Sequence, residues 1–128
     1  MPSFGFMTID ALVEADRVLI PVQAAYLPVK GLQQLIKTVA VVKKRLNKKL
    51  SIEGILITMV DYRTNYAKDI TEMLRESYGD TVGVMESFIP FSVKVAEASA
   101  EGSSIVRYAP KCKAAESFEK LTKEVLWR

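Results

Sequence analysis

Two hydrophobic rhythms alternate along this chain. Phe6–Ala15 (FMTIDALVEA) puts Phe6, Ile9, Leu12 and Val13 on one face of a short helix. Arg17–Gln23 (RVLIPVQ) is a short apolar run rich in β-branched residues, which reads as a buried strand. Pro21 is expected near that strand's end, because proline cannot donate to a central ladder. Leu32, Leu35, Ile36, Val39, Val42 and Leu46 follow helical spacing and predict an amphipathic helix over about Val29–Leu46. Ile52–Val60 is a second strand, apolar on both faces except at Glu53 and Thr58. Thr64–Tyr78 predicts a helix with Ala67, Ile70, Met73 and Leu74 on its stripe and Gly79 as its stop. Val84–Ile89 is a third strand, closed by Pro90. Val93–Ala100 forms a short helix that Gly102 ends. Lys111–Leu126 forms the last helix, with Ala114, Ala115, Phe118, Leu121 and Val125 inward. Strands buried on both faces and separated by helices imply parallel pairing with right-handed crossovers. The expected class is therefore α/β, an incomplete doubly wound sheet of about three parallel strands flanked by helices.

Composition narrows the chemistry. The chain has 128 residues, enough for one domain, and 49% of them are hydrophobic, enough for a core. The net charge of +3 permits an acidic partner such as nucleic acid without requiring one. There is no histidine and one cysteine, Cys112. That removes Ser-His-Asp and Cys-His catalysis, His-ligated metals and any intrachain disulfide. No apolar run approaches the ~18–20 residues that cross a bilayer, and no signal-peptide pattern opens the chain. A reducing cytoplasm is the expected compartment. Met7, Met59, Met73 and Met85 are expected to fill gaps in the core. Cys112 is expected to be inert. Leu126 and Trp127 are expected to pack, the helix before them being Glu/Lys mixed and not basic-faced. The basic run Lys43–Lys49 suits a helix C-terminus, where the dipole favours cations.

The candidate chemistry lies at the strand ends. Asp61 and Arg63 follow the second strand, and Pro90 and Phe91 follow the third. Parallel strands bring both loops to one edge of the sheet, where open α/β sheets bind ligands. An acid there can accept hydrogen bonds from a base or sugar, and a proline or phenyl ring can cover a purine face. Spacing alone favours the plainer reading, a loop salt bridge beside a hydrophobic plug. Arg63, Lys94, Lys111 and Lys113 are the basic candidates. Arg63 and Lys94 follow consecutive strands and could contact phosphates, giving salt-sensitive, sequence-independent DNA binding, or form an ordinary solvated surface. No glycine loop that cradles phosphates is present.

Several ordered segments give a resemblance. PSFGFMTIDAL at Pro2–Leu12, ADRVLIPVQAAYLPVKGLQQL at Ala15–Leu35, IEGILITMVDYRTN at Ile52–Asn65 and IPFSVKVAEASAEGSSIVRYAPKCKAAESF at Ile89–Phe118 are similar to consecutive segments of ParA/Soj-type partition ATPases. These belong to the deviant Walker P-loop class that also holds MinD. The resemblance implies the back half of a P-loop NTPase domain, with residues 1–128 a single partial domain. It implies ATP and Mg²⁺ in the intact family, with none held by this chain alone. Asp61, Pro90 and Phe91 would form the adenine-side half of the site, and Arg63 and Lys94 would hold DNA. The implied partners are non-specific DNA, a partition partner protein and a ParA-type protomer, without a membrane. The implied location is the cytoplasm, on the nucleoid where DNA binding is retained.

The departures from that family are equally specific. Its KGG-x-GKT loop, switch aspartate and Walker B aspartate are missing, and those groups grip phosphates, hold Mg²⁺ and orient the attacking water. Phe91 and Ser92 replace a common Arg-Asn pair, Ser99 replaces a common proline, and Lys94 stands where arginine is common. The expected function is the C-terminal part of a ParA-like ATPase of chromosome or plasmid partitioning, inactive in hydrolysis alone. The alternative is a non-catalytic module that binds DNA or a full-length ParA relative. The missing front strands predict an exposed sheet edge and self-association.

Overall fold

The computed structural model describes residues 6–24, 29–61 and 63–127, with side-chain burial for all of these except residues 6–8 and 29. The expected faces of Phe6 and Met7 thus lie outside the described side chains. The element order is α1 (Phe6–Glu14), β1 (Arg17–Gln23), α2 (Val29–Arg45), β2 (Ser51–Val60), α3 (Asn65–Tyr78), β3 (Val84–Pro90), α4 (Val93–Ala100), α5 (Ile105–Tyr108) and α6 (Lys113–Leu126). The three strands form one sheet in the order β1-β2-β3, and both pairings are parallel. The sheet and its flanking helices match the class read from the sequence. The single-turn α5 has no hydrophobic period to announce it; Ser104 caps it by accepting from the Arg107 amide at 3.2 Å.

The core divides by face. α2 and α3 share one face of the sheet: Leu32 of α2 and Ala67, Ile70 and Leu74 of α3 cover Ile20, Val22, Ile55 and Ile57. α6 covers the other face, with Phe118, Leu121 and Val125 on Leu56, Met85 and Ile89. A third cluster joins Leu12 of α1 to Val39, Val42 and Leu50 near the strand beginnings. Asn47 ties α1 down there, donating from one Nδ2 to the carbonyls of Leu12 at 3.1 Å and Ala15 at 2.8 Å. Those are end-of-helix carbonyls that lack intrahelical donors. Within a run otherwise suited to solvation, Asn47 is thus a structural clasp.

Several expectations need correction. β1 is not buried on both faces: its residues alternate, with Ile20 and Val22 buried and Leu19, Pro21 and Gln23 exposed. Among the described residues, α6 packs on Leu56 of β2 and on Met85 and Ile89 of β3, and its cluster includes no residue of β1. Pro21 is the fifth of the seven β1 residues and not at its end. The Asp16 carbonyl accepts from the Ser51 amide, and the Ala24 amide donates to the Thr58 carbonyl. Parallel alternation then turns the even positions of β1 toward β2 and the odd ones outward. Pro21 therefore presents its donor-less nitrogen to the open edge, where it breaks no bond. Third, Met59 and Met73 are surface residues, 49% and 36% exposed, and only Met85 among the described methionines is a core filler. Leu46 lies beyond the end of α2 and is exposed, and Leu126 and Trp127, expected to pack, are exposed at the end of α6.

Gly79 stops α3 as expected, standing as its C-cap after Tyr78, though with right-handed angles (φ −57°). The reversal into β3 comes at Gly83 (φ +90°), whose amide, with that of Val82, donates to the Tyr78 carbonyl. Gly54 is the other glycine the backbone requires. β2 bulges at Glu53, since Val18 faces Ile52 while Leu19 faces Gly54. Gly54 recovers the ladder at φ +152°, where a Cβ would stand 3.0 Å from Met85 Sδ. Glu53, the bulged residue, is paired by Arg17 Nη1 at 2.9 Å.

Candidate functional site

The turns that leave β2 and β3 lie side by side. The Phe91 amide donates to the Val60 carbonyl at 2.9 Å, one rung past the pairing of Val60 with Pro90. Beyond that rung opens a shallow recess of about 260 Å³ lined by Val60, Asp61, Arg63, Phe91 and Lys113.

Local chemistry builds each wall. Asp61 Oδ1 accepts from the Arg63 amide at 3.0 Å, an Asx turn that reverses the chain. The Asp61 carbonyl accepts from both the amide (3.2 Å) and the hydroxyl (3.0 Å) of Thr64. Thr64 Oγ1 in turn accepts from the Ala67 amide, capping α3. The D-x-R-T-N string therefore encodes a turn and a cap in five residues. Lys113 reaches the recess as the first residue of α6. Cys112, not merely inert, is the cap of that helix, its Sγ accepting from the Ala115 amide at 3.4 Å.

Asp61 and Arg63 are already engaged with each other. Arg63 Nε donates to Asp61 Oδ1 at 3.1 Å and Arg63 Nη2 to Oδ2 at 3.2 Å, the planar fork on both carboxylate oxygens. The hydrogen bonds from the Arg63 side chain, then from its amide, hold the Asp61 carboxyl below its ordinary value. Reciprocally, the Asp61 carboxylate raises Arg63. The pair is exposed, with 88% of the Arg63 side chain in solvent, so its worth is organisation of the loop more than stability.

The structure brings Asp61, Arg63 and Phe91 into one recess and adds Lys113. Phe91 is not a plug, since 61% of it is exposed, and its ring is free to cover a flat ligand. Pro90 is buried at the end of β3 and does not line the recess. Lys94 is absent from the lining too. It lies on the first turn of α4 with its Nζ 3.6 Å from Glu97 Oε2. Sequence reasoning missed Met59, which takes left-handed angles (φ 52°) one residue before Val60. Nothing in a methionine signals that conformation, which a non-glycine residue adopts at a cost of about 1–3 kcal/mol.

The recess offers a small set of groups. A carboxylate, an exposed phenyl ring and two cations can address a base or a sugar. A triphosphate with Mg²⁺ does not fit the residues present. The six glycines stand singly along the sequence, and among the described residues no glycine-rich turn is present to cradle a phosphate. Among the described residues no group of three or more His, Cys, Asp or Glu side chains could hold a metal ion.

A family model for an AAA domain matches residues 1–52. The sporulation initiation inhibitor protein Soj of Bacillus subtilis is 43% identical over 124 residues, covering 97% of this chain and 48% of that protein. The chromosome partitioning protein ParA of Myxococcus xanthus is 40% identical over 127 residues, covering 99% of this chain and 44% of that protein. Over nearly its whole length this chain is similar to Soj and ParA proteins. It spans about half the length of these relatives. The fold agrees: the cobyrinic acid a,c-diamide synthase of Mycobacterium smegmatis, solved with bound ADP and magnesium, superposes with a TM-score of 0.77 at 25% identity. It covers 98% of this chain and 43% of that one. The ADP and magnesium are that enzyme's. Among the described residues of this chain, no helix is long and apolar enough to cross a membrane.

The Asp61–Arg63 pair has a defined pH signature. A carboxyl lowered in the folded state adds stability above its unfolded value and loses it as pH falls through the folded one. We expect the Asp61 carboxyl to titrate by NMR below an ordinary aspartate, and Arg63→Ala to move it back up. An Asp61 midpoint at or above the ordinary aspartate value would mean that the pair does not form in solution.

Proposed function

We propose that this chain forms the base-side wall of the nucleotide site of a partition ATPase and does not hydrolyse ATP alone. On this reading residues 1–128 are one partial domain. Asp61 and Phe91 address the base or sugar, and Pro90 supports them from the end of β3. The observation that carries the reading is the Phe91–Val60 hydrogen bond, which joins both strand-end turns into one recess. The phosphates, Mg²⁺ and attacking water would be handled by groups this sequence does not contain. Its role in chromosome or plasmid partitioning would then be exercised with a Soj/ParA protomer or a partition partner protein. The test is phosphate release from ATP and Mg²⁺ by the purified chain, alongside adenosine titration followed at the Phe91 ring resonances. We expect no turnover above the blank and shifts at Phe91. Mg²⁺-dependent turnover that persists through repurification rejects the inactive reading.

A second reading is a DNA-binding module in the cytoplasm, on the nucleoid. It draws on the exposure of Arg63 and Lys94, whose side chains are 88% and 56% in solvent after consecutive strands. Their neighbours Asp61 and Glu97 oppose it by neutralising each cation. Binding should therefore be weak and steeply salt-dependent. In gel shifts with random duplex DNA, Arg63→Ala should weaken affinity and reduce the salt slope by about one. The absence of any shift at low salt removes this reading.

The open edge of β1 is the surface we propose for association with a second chain, either a like copy or a Soj/ParA protomer. Unpaired strand edges attract partners, although Pro21 removes one donor from the middle of this one. Sedimentation velocity should show a concentration-dependent shift toward dimer. A single monomer boundary across a hundred-fold range of about micromolar concentrations would rule out self-association.

A further inference from the structure

We infer that Glu124 of α6 is the positioning residue that sets the register of β3 and so brings Phe91 to the recess. Between the pairs Ile55–Val84 and Ile57–Phe88, two steps along β2 are answered by four along β3. The excess falls at residues 85–87. There the Glu86 amide donates to Glu124 Oε2 and the Ser87 amide to Glu124 Oε1, each at 2.8 Å. The two oxygens of one carboxylate thus take up two consecutive amides: that of Glu86, which faces away from β2 by ordinary alternation, and that of Ser87, which the bulge turns out of the ladder. Phe118, Leu121 and Val125 anchor α6 on Leu56, Met85 and Ile89, which fixes the height at which Glu124 meets β3. Beside the clasp an open cleft of about 520 Å³ runs between residues 86–88 and α6, so at the bulge only Met85 is close-packed, its carbonyl also accepting from Arg75 Nη2 at 3.3 Å.

The consequence reaches the far end of the strand. Removing the bulge and closing the ladder two-for-two would put Phe88 opposite Val60 in place of Pro90. The Ile89 amide would then serve the Val60 carbonyl. Phe91 would pass the recess by two residues, about 6–7 Å. A slip of two keeps every side chain on its own face, so hydrophobic alternation alone does not forbid the slipped register. Something outside the strand must forbid it, and the Glu124 carboxylate is placed to do so. This inference holds whatever the recess binds.

The test is amide hydrogen exchange in the whole chain carrying Glu124→Ala, and separately Glu124→Gln, which keeps the shape but loses one acceptor. The Ser51 amide, bonded to the Asp16 carbonyl between β1 and β2, serves as the remote control. We expect exchange about tenfold faster or more at Glu86, Ser87 and Phe91 in the Ala variant, a smaller rise at the same three in the Gln variant, and no change at Ser51. Faster exchange at Glu86 and Ser87 with Phe91 as in the parent overturns the inference and leaves Glu124 a local cap. No change at any of the three also overturns it. Loss of protection at Ser51 in both variants overturns it too, since Glu124 would then support the whole fold and not the register.

Discussion

One donor and one acceptor hold the working end of this molecule together: the Phe91 amide and the Val60 carbonyl. The bond depends on a count. Five steps along β2 from Ile55 to Val60 correspond to six along β3 from Val84 to Pro90. Were β2 regular, Val60 would turn its carbonyl toward β1, as Thr58 does toward the Ala24 amide, and the Phe91 amide would lack that acceptor. The irregular register is therefore what turns this carbonyl toward β3 and the Phe91 amide. Two bulges of opposite sense produce the offset, one on β3 at residues 85–87 and one on β2 at the left-handed Met59.

Strain and clasp divide along the same line. The core below the strand ends is conventional, with Leu74, Ile55 and Met85 fully buried and no buried polar residue recorded among the described ones. The departures from ideal backbone lie above it or beside it: Gly54 where β3 approaches β2 closely, and Met59 at the rim of the recess. An exposed methionine held in a costly conformation next to a ligand-sized recess is consistent with surroundings that over-determine it. The Asp61 turn, the Thr64 cap and the Val60 rung supply that surround within a few residues.

Periodicity made the elements legible because helices and strands bury their faces at fixed intervals. The inward set Ala114, Ala115, Phe118, Leu121 and Val125 of α6 is an example. The juxtaposition of the two strand-end turns was also readable, since parallel strands admit one edge for both. Three kinds of feature were not. Exposure of Leu19 and Pro21 in β1 depends on what packs over them, and no local pattern in RVLIPVQ carries that. Register depends on bulges, and neither Met59 nor the 85–87 stretch announces one. Long-range clasps such as Asn47 to the end of α1 look in sequence like ordinary polar surface. At the site, the Asp61–Arg63 pair matched the plainer of two sequence readings, while the exposed Phe91 ring departed from the plug that accompanied it.

Pro21 decides how this sheet can grow. A strand arriving alongside β1 finds a donor at Leu19 and another at Gln23, with a silent position between them. A long flat ribbon, such as stacked identical copies require, meets an unanswered carbonyl in its middle rung. A segment that pairs for one rung and then veers away loses nothing. The molecule's bare flank thus discriminates by the path of the incoming backbone, rejecting indefinite templated addition while still admitting a short divergent neighbour.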